Sequence, residues 1–101
     1  MKESALCPRL AKAMELIGKR WTALIIYQLL DGPQRFNAIE SALPISGRLL
    51  SERLKELEKE EIVVRKVYSE VPIRVEYSLT EKGLSLEGAV REIEKWAQKW
   101  I

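Results

Sequence analysis

Arg48, Ser51 and Lys55 stand at i, i+3 and i+7, a spacing that lines a guanidinium, a hydroxyl and an ammonium along one face of a helix. These groups suit the edges and phosphates of a nucleic-acid duplex. An arginine matches a guanine edge with two donors, and a serine bonds a base or a phosphate. Leu49, Leu50, Leu54 and Leu57 cover the opposite side and demand burial, while Glu52 and Lys59 share the polar side with the three donors. Glu52, Glu56 and Glu58 work against a polyanionic ligand. Glu52 either reads a cytosine amine or, as preferred here, braces Arg48 across one turn. Arg53 falls on the inner flank between leucines and is expected to run along the core or to pair with a glutamate. A charged outer face is by itself the ordinary solvated side of a helix, so the surrounding elements must decide between the two readings.

Further cations follow the same logic. Arg74, with Arg65 and Lys66 across from it, lies in a stretch of alternating β-branched and polar residues. Arg74 is the best placed of the three to enter a minor groove or touch its phosphates, the other reading being an ordinary hairpin with scattered charge. Lys19, Arg20 and Arg35 precede helical stretches, and helix starts favour phosphate, so they are expected to clamp the backbone without reading sequence. Cys7 precedes Pro8 and Arg9 at the start of a helix. A thiol beside a helix N-terminus and a cation can sense oxidants or electrophiles; otherwise it serves as a small buried hydrophobe.

What is missing narrows the chemistry. The chain has no histidine and one cysteine. Ser-His-Asp and Cys-His catalysis, an intramolecular disulfide and a Cys/His zinc site are therefore excluded within one chain. No group of residues points to an enzyme, a metal or a cofactor. The formal net charge of +2 is too small to argue for nucleic acid, so the distribution of charge carries that argument. No apolar run is long enough to span a bilayer, the N-terminus lacks the apolar stretch of a signal peptide, and the lone cysteine fits a reducing, cytoplasmic setting.

At 101 residues the chain is long enough for one domain, residues 1–101, with a modest core. Residues 1–6 read as a tail. Leu10, Ala13, Met14 and Ile17 recur at helical spacing behind Pro8, and Gly18 ends the run. A second, largely apolar helix is expected over residues 21–30 and stops at Asp31-Gly32-Pro33. Arg35-Phe36 reads as a short edge strand, followed by a third helix capped by Asn37 and stopped by Pro44. Ser46 caps the fourth helix, residues 47–60, so that residues 46–60 form a recognition helix within a helix-turn-helix. Residues 62–67 and 74–79 alternate as two strands joined by a loop, making a wing over residues 62–79. The fold expected is α+β, mostly α: a winged helix-turn-helix with a two- to three-stranded β-wing and a C-terminal dimerisation helix.

Thr80 caps a last helix expected to run unbroken from Glu81 toward the C-terminus. Its stripe of Leu86, Val90, Ile93, Trp96 and Trp100 either folds back on its own domain or meets a second copy. Large aromatics near the end of so small a domain favour a homodimer built by residues 7–18 and 81–100. A two-fold dimer places two recognition helices about one DNA turn apart on a palindrome. The competing function is a protein-interaction module that uses the same fold without DNA.

The runs Leu16-Ile17-Gly18-Lys19-Arg20-Trp21-Thr22, Leu30-Asp31-Gly32-Pro33-Gln34-Arg35-Phe36-Asn37, Ile45-Ser46-Gly47-Arg48-Leu49-Leu50-Ser51-Glu52-Arg53-Leu54 and Tyr68-Ser69-Glu70-Val71-Pro72-Ile73-Arg74, with Cys7-Pro8 ahead of them, resemble the HxlR-type transcriptional regulators, relatives of the MarR group. The resemblance covers about residues 7–100. It implies a winged-helix dimer that binds double-stranded DNA through the helix around residues 46–55 and the wing around Arg74. It also implies, for Cys7 alone, the thiol-based sensing found in some members, with no cofactor and an effector left open. The family often carries a proline or similar residue after the cap serine, where this chain has Gly47, a difference expected to loosen the start of that helix.

Overall fold

A computed structural model describes residues 7–101, so the tail expected over residues 1–6 lies outside the described residues. Four helices come first: α1 (Pro8–Ile17), α2 (Thr22–Leu29), α3 (Phe36–Ala42) and α4 (Gly47–Lys59). Then follow the strands β1 (Val63–Tyr68) and β2 (Arg74–Leu79), a short helix α5 (Glu81–Leu84) and the C-terminal α6 (Glu87–Trp100). The core is a single cluster in which Leu50, Leu54 and Leu57 of α4 meet Ile25, Ile26 and Leu29 of α2, Ile39 of α3, and Ile62 and Val63 at the entry to β1. The leucine spacing of α4 thus does what helical periodicity demands: one side is fully buried and the other faces out.

Antiparallel pairing in the wing matches Val63 with Leu79 and Tyr68 with Arg74. The third strand shrinks to one bridge, in which Gln34 and Tyr77 exchange both backbone hydrogen bonds at 2.9 and 2.7 Å. It forms one residue before the expected Arg35-Phe36 strand. The Gln34 side chain also donates to the carbonyl of Gln28 at 2.7 Å, which pins the α2–α3 connection. That anchor explains a second difference. With Gln34 fixed and Phe36 packed against the core, the chain turns into α3 at Arg35, and Asn37, the expected cap, lies inside the first turn.

The last helix is broken where continuity was expected. Gly83 lies so close to the carbonyl of Ile62 that a Cβ there would collide with it. Thr80 Oγ1 donates to the carbonyl of Glu61 at 2.6 Å, and Lys82 Nζ to that of Glu60 at 2.7 Å. These contacts bind α5 to the end of α4. A bond from the Leu86 N–H to the Gly83 carbonyl at 3.0 Å closes α5, and α6 begins at Glu87. The molecule measures 59 × 30 × 25 Å with a radius of gyration of 15.3 Å. A compact chain of this length would have about 13 Å.

Candidate nucleic-acid interface

Ser46 is extended (φ −69°, ψ 150°), and its Oγ accepts from Leu49 N–H at 3.1 Å while its carbonyl accepts from Leu50 N–H at 2.9 Å. The start of α4 is therefore closed in the manner of an N-cap, and Gly47 does not loosen it. A Cβ at residue 47 would stand 2.7 Å from a carboxylate oxygen of Glu40. Glycine at that point makes room for an acid beside the positive end of α4.

Behind the cap, Arg48 and Lys55 are exposed and Ser51 is half-buried, all on the side away from the leucines. The expected brace between Arg48 and Glu52 is not formed: among the described residues neither side chain takes part in an ion pair. Both project from the N-terminal turns of α4, where the surface is open and nothing holds them together. Arg53 turns inward as expected. Its Nε donates to the carbonyl of Arg20 at 3.1 Å, and its Nη1 lies 3.4 Å from Glu56.

Glu56 also holds Lys19 Nζ at 3.2 Å. One carboxylate of α4 therefore secures the turn between α1 and α2, in which Trp21 adopts a left-handed conformation (φ 82°) with Arg20 stacked 4.8 Å from its ring. Lys19 is thus an intramolecular tie as well as an exposed cation, and Arg20 is partly committed to Trp21. Arg35, at the N-terminal boundary of α3, is exposed.

Arg74 is the most heavily engaged of the candidate cations. Its guanidinium is not free: Nη2 meets Glu70 at 2.8 Å, Nη1 meets Glu76 at 2.6 Å, and Nε reaches both Glu70 oxygens at 3.2 Å. The Tyr68 ring lies 3.8 Å from its central carbon. The hydrogen bond from Arg74 holds the Glu70 carboxyl below the usual carboxylate range, and the charge of Arg35 adds to the effect. Arg65 and Lys66 are exposed and, among the described residues, form no ion pair. Sequence spacing gave no sign of the Arg74 cage, because Glu70 lies in a loop where no helical or strand rule relates it to position 74.

Cys7 is exposed, which removes the reading as a buried hydrophobe. It occupies the N-cap of α1, and its Sγ accepts from Leu10 N–H at 3.4 Å. The apolar stripe near the C-terminus is divided. Leu86 and Val90, expected at a dimer interface, are packed against the chain's own core. Ile93, Trp96 and Trp100 are 60%, 58% and 66% exposed. Leu10 and Met14 of α1 are also exposed, and between α2 and α6 lies an apolar groove of about 330 Å³ lined by Leu24, Tyr27 and Ile93 among others. The position of α6 is set by Tyr27 of α2, whose hydroxyl donates to Glu94 at 2.5 Å, with Arg91 3.4 Å from the same carboxylate. Among the described residues no His/Cys/Asp/Glu cluster has the arrangement of a metal site, and no helix is long and apolar enough to cross a membrane.

This architecture has close counterparts. The chain is 58% identical over 102 aligned positions to YvaP of Bacillus subtilis (strain 168), named an uncharacterized HTH-type transcriptional regulator, covering all of this chain and 94% of that protein. The reduced form of the transcriptional regulator YodB from B. subtilis superposes with a TM-score of 0.84 at 49% identity, covering 94% of each chain. YodB has also been solved diamide-treated and quinone-bound. The redox regulator HypR in its oxidised form gives a TM-score of 0.86 at 40% identity over 92% of this chain and 96% of its own. Residues 16–101 match the profile of the HxlR-like helix-turn-helix family. With the capped α4 and the two-stranded wing in place, the chain belongs to the HxlR-like helix-turn-helix family.

Proposed function

We propose that this chain is a cytoplasmic transcriptional regulator that binds double-stranded DNA as a homodimer on a palindromic site, and that oxidants or electrophiles acting on Cys7 weaken its hold. The observation that carries the reading is α4: a capped helix, fully buried along its leucines, that presents Arg48, Ser51 and Lys55 to solvent. Such a helix fits a major groove, and its N-terminal residues are those that reach base edges. Arg48 and Ser51 read bases. Ser46 and Lys55, with Arg35, Arg20 and Lys19 farther back, meet phosphates and set register. The exposed apolar residues of α1 and α6 support a two-fold partner, because so much apolar surface on so small a chain is covered in solution. The sensing part rests on the exposed thiol of Cys7 and on likeness to YodB and HypR, whose structures are titled by reduced, quinone-bound or oxidised state.

Duplex binding measured across a salt series tests the proposal. Affinity should fall steeply as salt rises and should favour one palindrome, recovered by selection from random DNA, over unrelated sequence. Arg48→Ala should cost about 1–3 kcal/mol on that palindrome and relax preference at one base position. Absence of duplex binding at low salt overturns the reading.

A further inference from the structure

We infer that Arg74 is a positioning residue that shapes the wing, and that the charge the wing offers to DNA is carried by Arg65 and Lys66. The inference rests on the DNA-binding reading and reassigns roles within it. Tyr68 is the last residue of β1 and the register partner of Arg74, the first residue of β2. Glu76 lies two positions further along the same strand and therefore on the same face of the ribbon. Glu70 reaches in from the connecting loop. The guanidinium is thus stacked on one strand, paired along the other and tied to the loop between them, with a carboxylate oxygen within 3.2 Å of each of its nitrogens.

Such a cage suits a brace and not a phosphate contact. An arginine binds phosphate through the same fork of donors that Glu70 already occupies, so a phosphate would have to displace a carboxylate. The two carboxylates also offset the guanidinium's own positive charge, so Arg74 offers less attraction to a phosphate than an unpaired cation does. The loop residues beyond the brace, Val71, Pro72 and Ile73, are all exposed and none is charged. Among the wing's cations, Arg65 and Lys66 are the ones outside the cage, on opposite faces of the ribbon.

Fluorescence anisotropy with the selected palindromic duplex, repeated over a salt series, tests this assignment. Arg74→Ala should weaken binding at every salt concentration and leave the slope of log affinity against log salt unchanged. Replacing Arg65 and Lys66 together by alanine should flatten that slope by about one or more. Glu70→Gln and Glu76→Gln should each weaken binding by roughly 3- to 10-fold, the size of a coupled pair, although each removes a negative charge. Arg74→Lys should bind as poorly as Arg74→Ala, since an ammonium cannot span both carboxylates. A slope flattened by Arg74→Ala, tighter binding by Glu70→Gln, or full rescue by Arg74→Lys would overturn the inference while leaving DNA binding intact. Failure of the wild-type chain to bind duplex would instead overturn the DNA-binding reading, and this inference with it.

Discussion

A single hydrogen bond ties the Cys7 thiol to the first turn of α1, and the sulfur is otherwise open to solvent. Serine caps a helix at least as well as cysteine does. Cys7→Ser should therefore bind DNA like the wild type under reducing conditions but keep that affinity after diamide or quinone treatment, which should release the wild type. Equal loss in both proteins would remove Cys7 from the sensing role. The Tyr27–Glu94 pair makes a different prediction. Its hydrogen bond holds Glu94 below the ordinary carboxylate value of 4.5 and pushes Tyr27 above its ordinary 10.0. The folded chain binds the Glu94 proton more weakly than the unfolded chain does, so that contribution is complete above the carboxylate range and is lost as pH falls through the folded value. Tyr27 holds its proton more tightly when folded, so its share is complete below its ordinary value and is lost as pH rises through the folded one. The difference in thermal midpoint between wild type and Tyr27→Phe should be widest between about pH 5 and 9 and should narrow on either side.

Among the elements, α4 buries Leu50, Leu54 and Leu57 along one side. Leu54→Ala should cost about 2–5 kcal/mol, because the side chain is buried among helices that cannot close the gap. Ser46→Ala should cost about 1 kcal/mol, and Ser46→Asp should restore most of it. Urea unfolding of the variants gives both values. This helix was legible because everything that forms it is local: the cap serine, the leucine period and the glutamate-rich end. The strands were legible for the same reason, from β-branched alternation, and so was the end of α1 at Gly18. The break between α5 and α6 was not, since it depends on Gly83 resting on the carbonyl of Ile62, an approach that only the folded chain creates. Nor could spacing reveal that Lys19 belongs to Glu56, 37 positions away, or that Arg74 is enclosed by carboxylates. The places of the proposed contact residues on their elements could be read, but their intramolecular ion pairs could not.

At the scale of the whole molecule, the exposed apolar residues of α1 and α6 are the surface that the proposed homodimer would cover. Ile93→Asp with Trp96→Ala should shift sedimentation from dimer to monomer. Affinity for the palindrome should fall about 100-fold or more, because two linked reading heads gain avidity that one lacks, while binding to a half-site should change little. The Gln34–Tyr77 bridge determines how a signal could pass through such an assembly. By fastening the α2–α3 connection to the wing it turns helix-turn-helix and wing into one stiff jaw. No residue of α6 is fully buried, and residues 85–86 separate this helix from α5. In the proposed dimer, a disturbance at α1 or α6 is therefore expected to change the gap between two jaws, as the joint of a pair of callipers does, without reshaping either tip. A modified dimer would still prefer the same bases but would be set to the wrong spacer length.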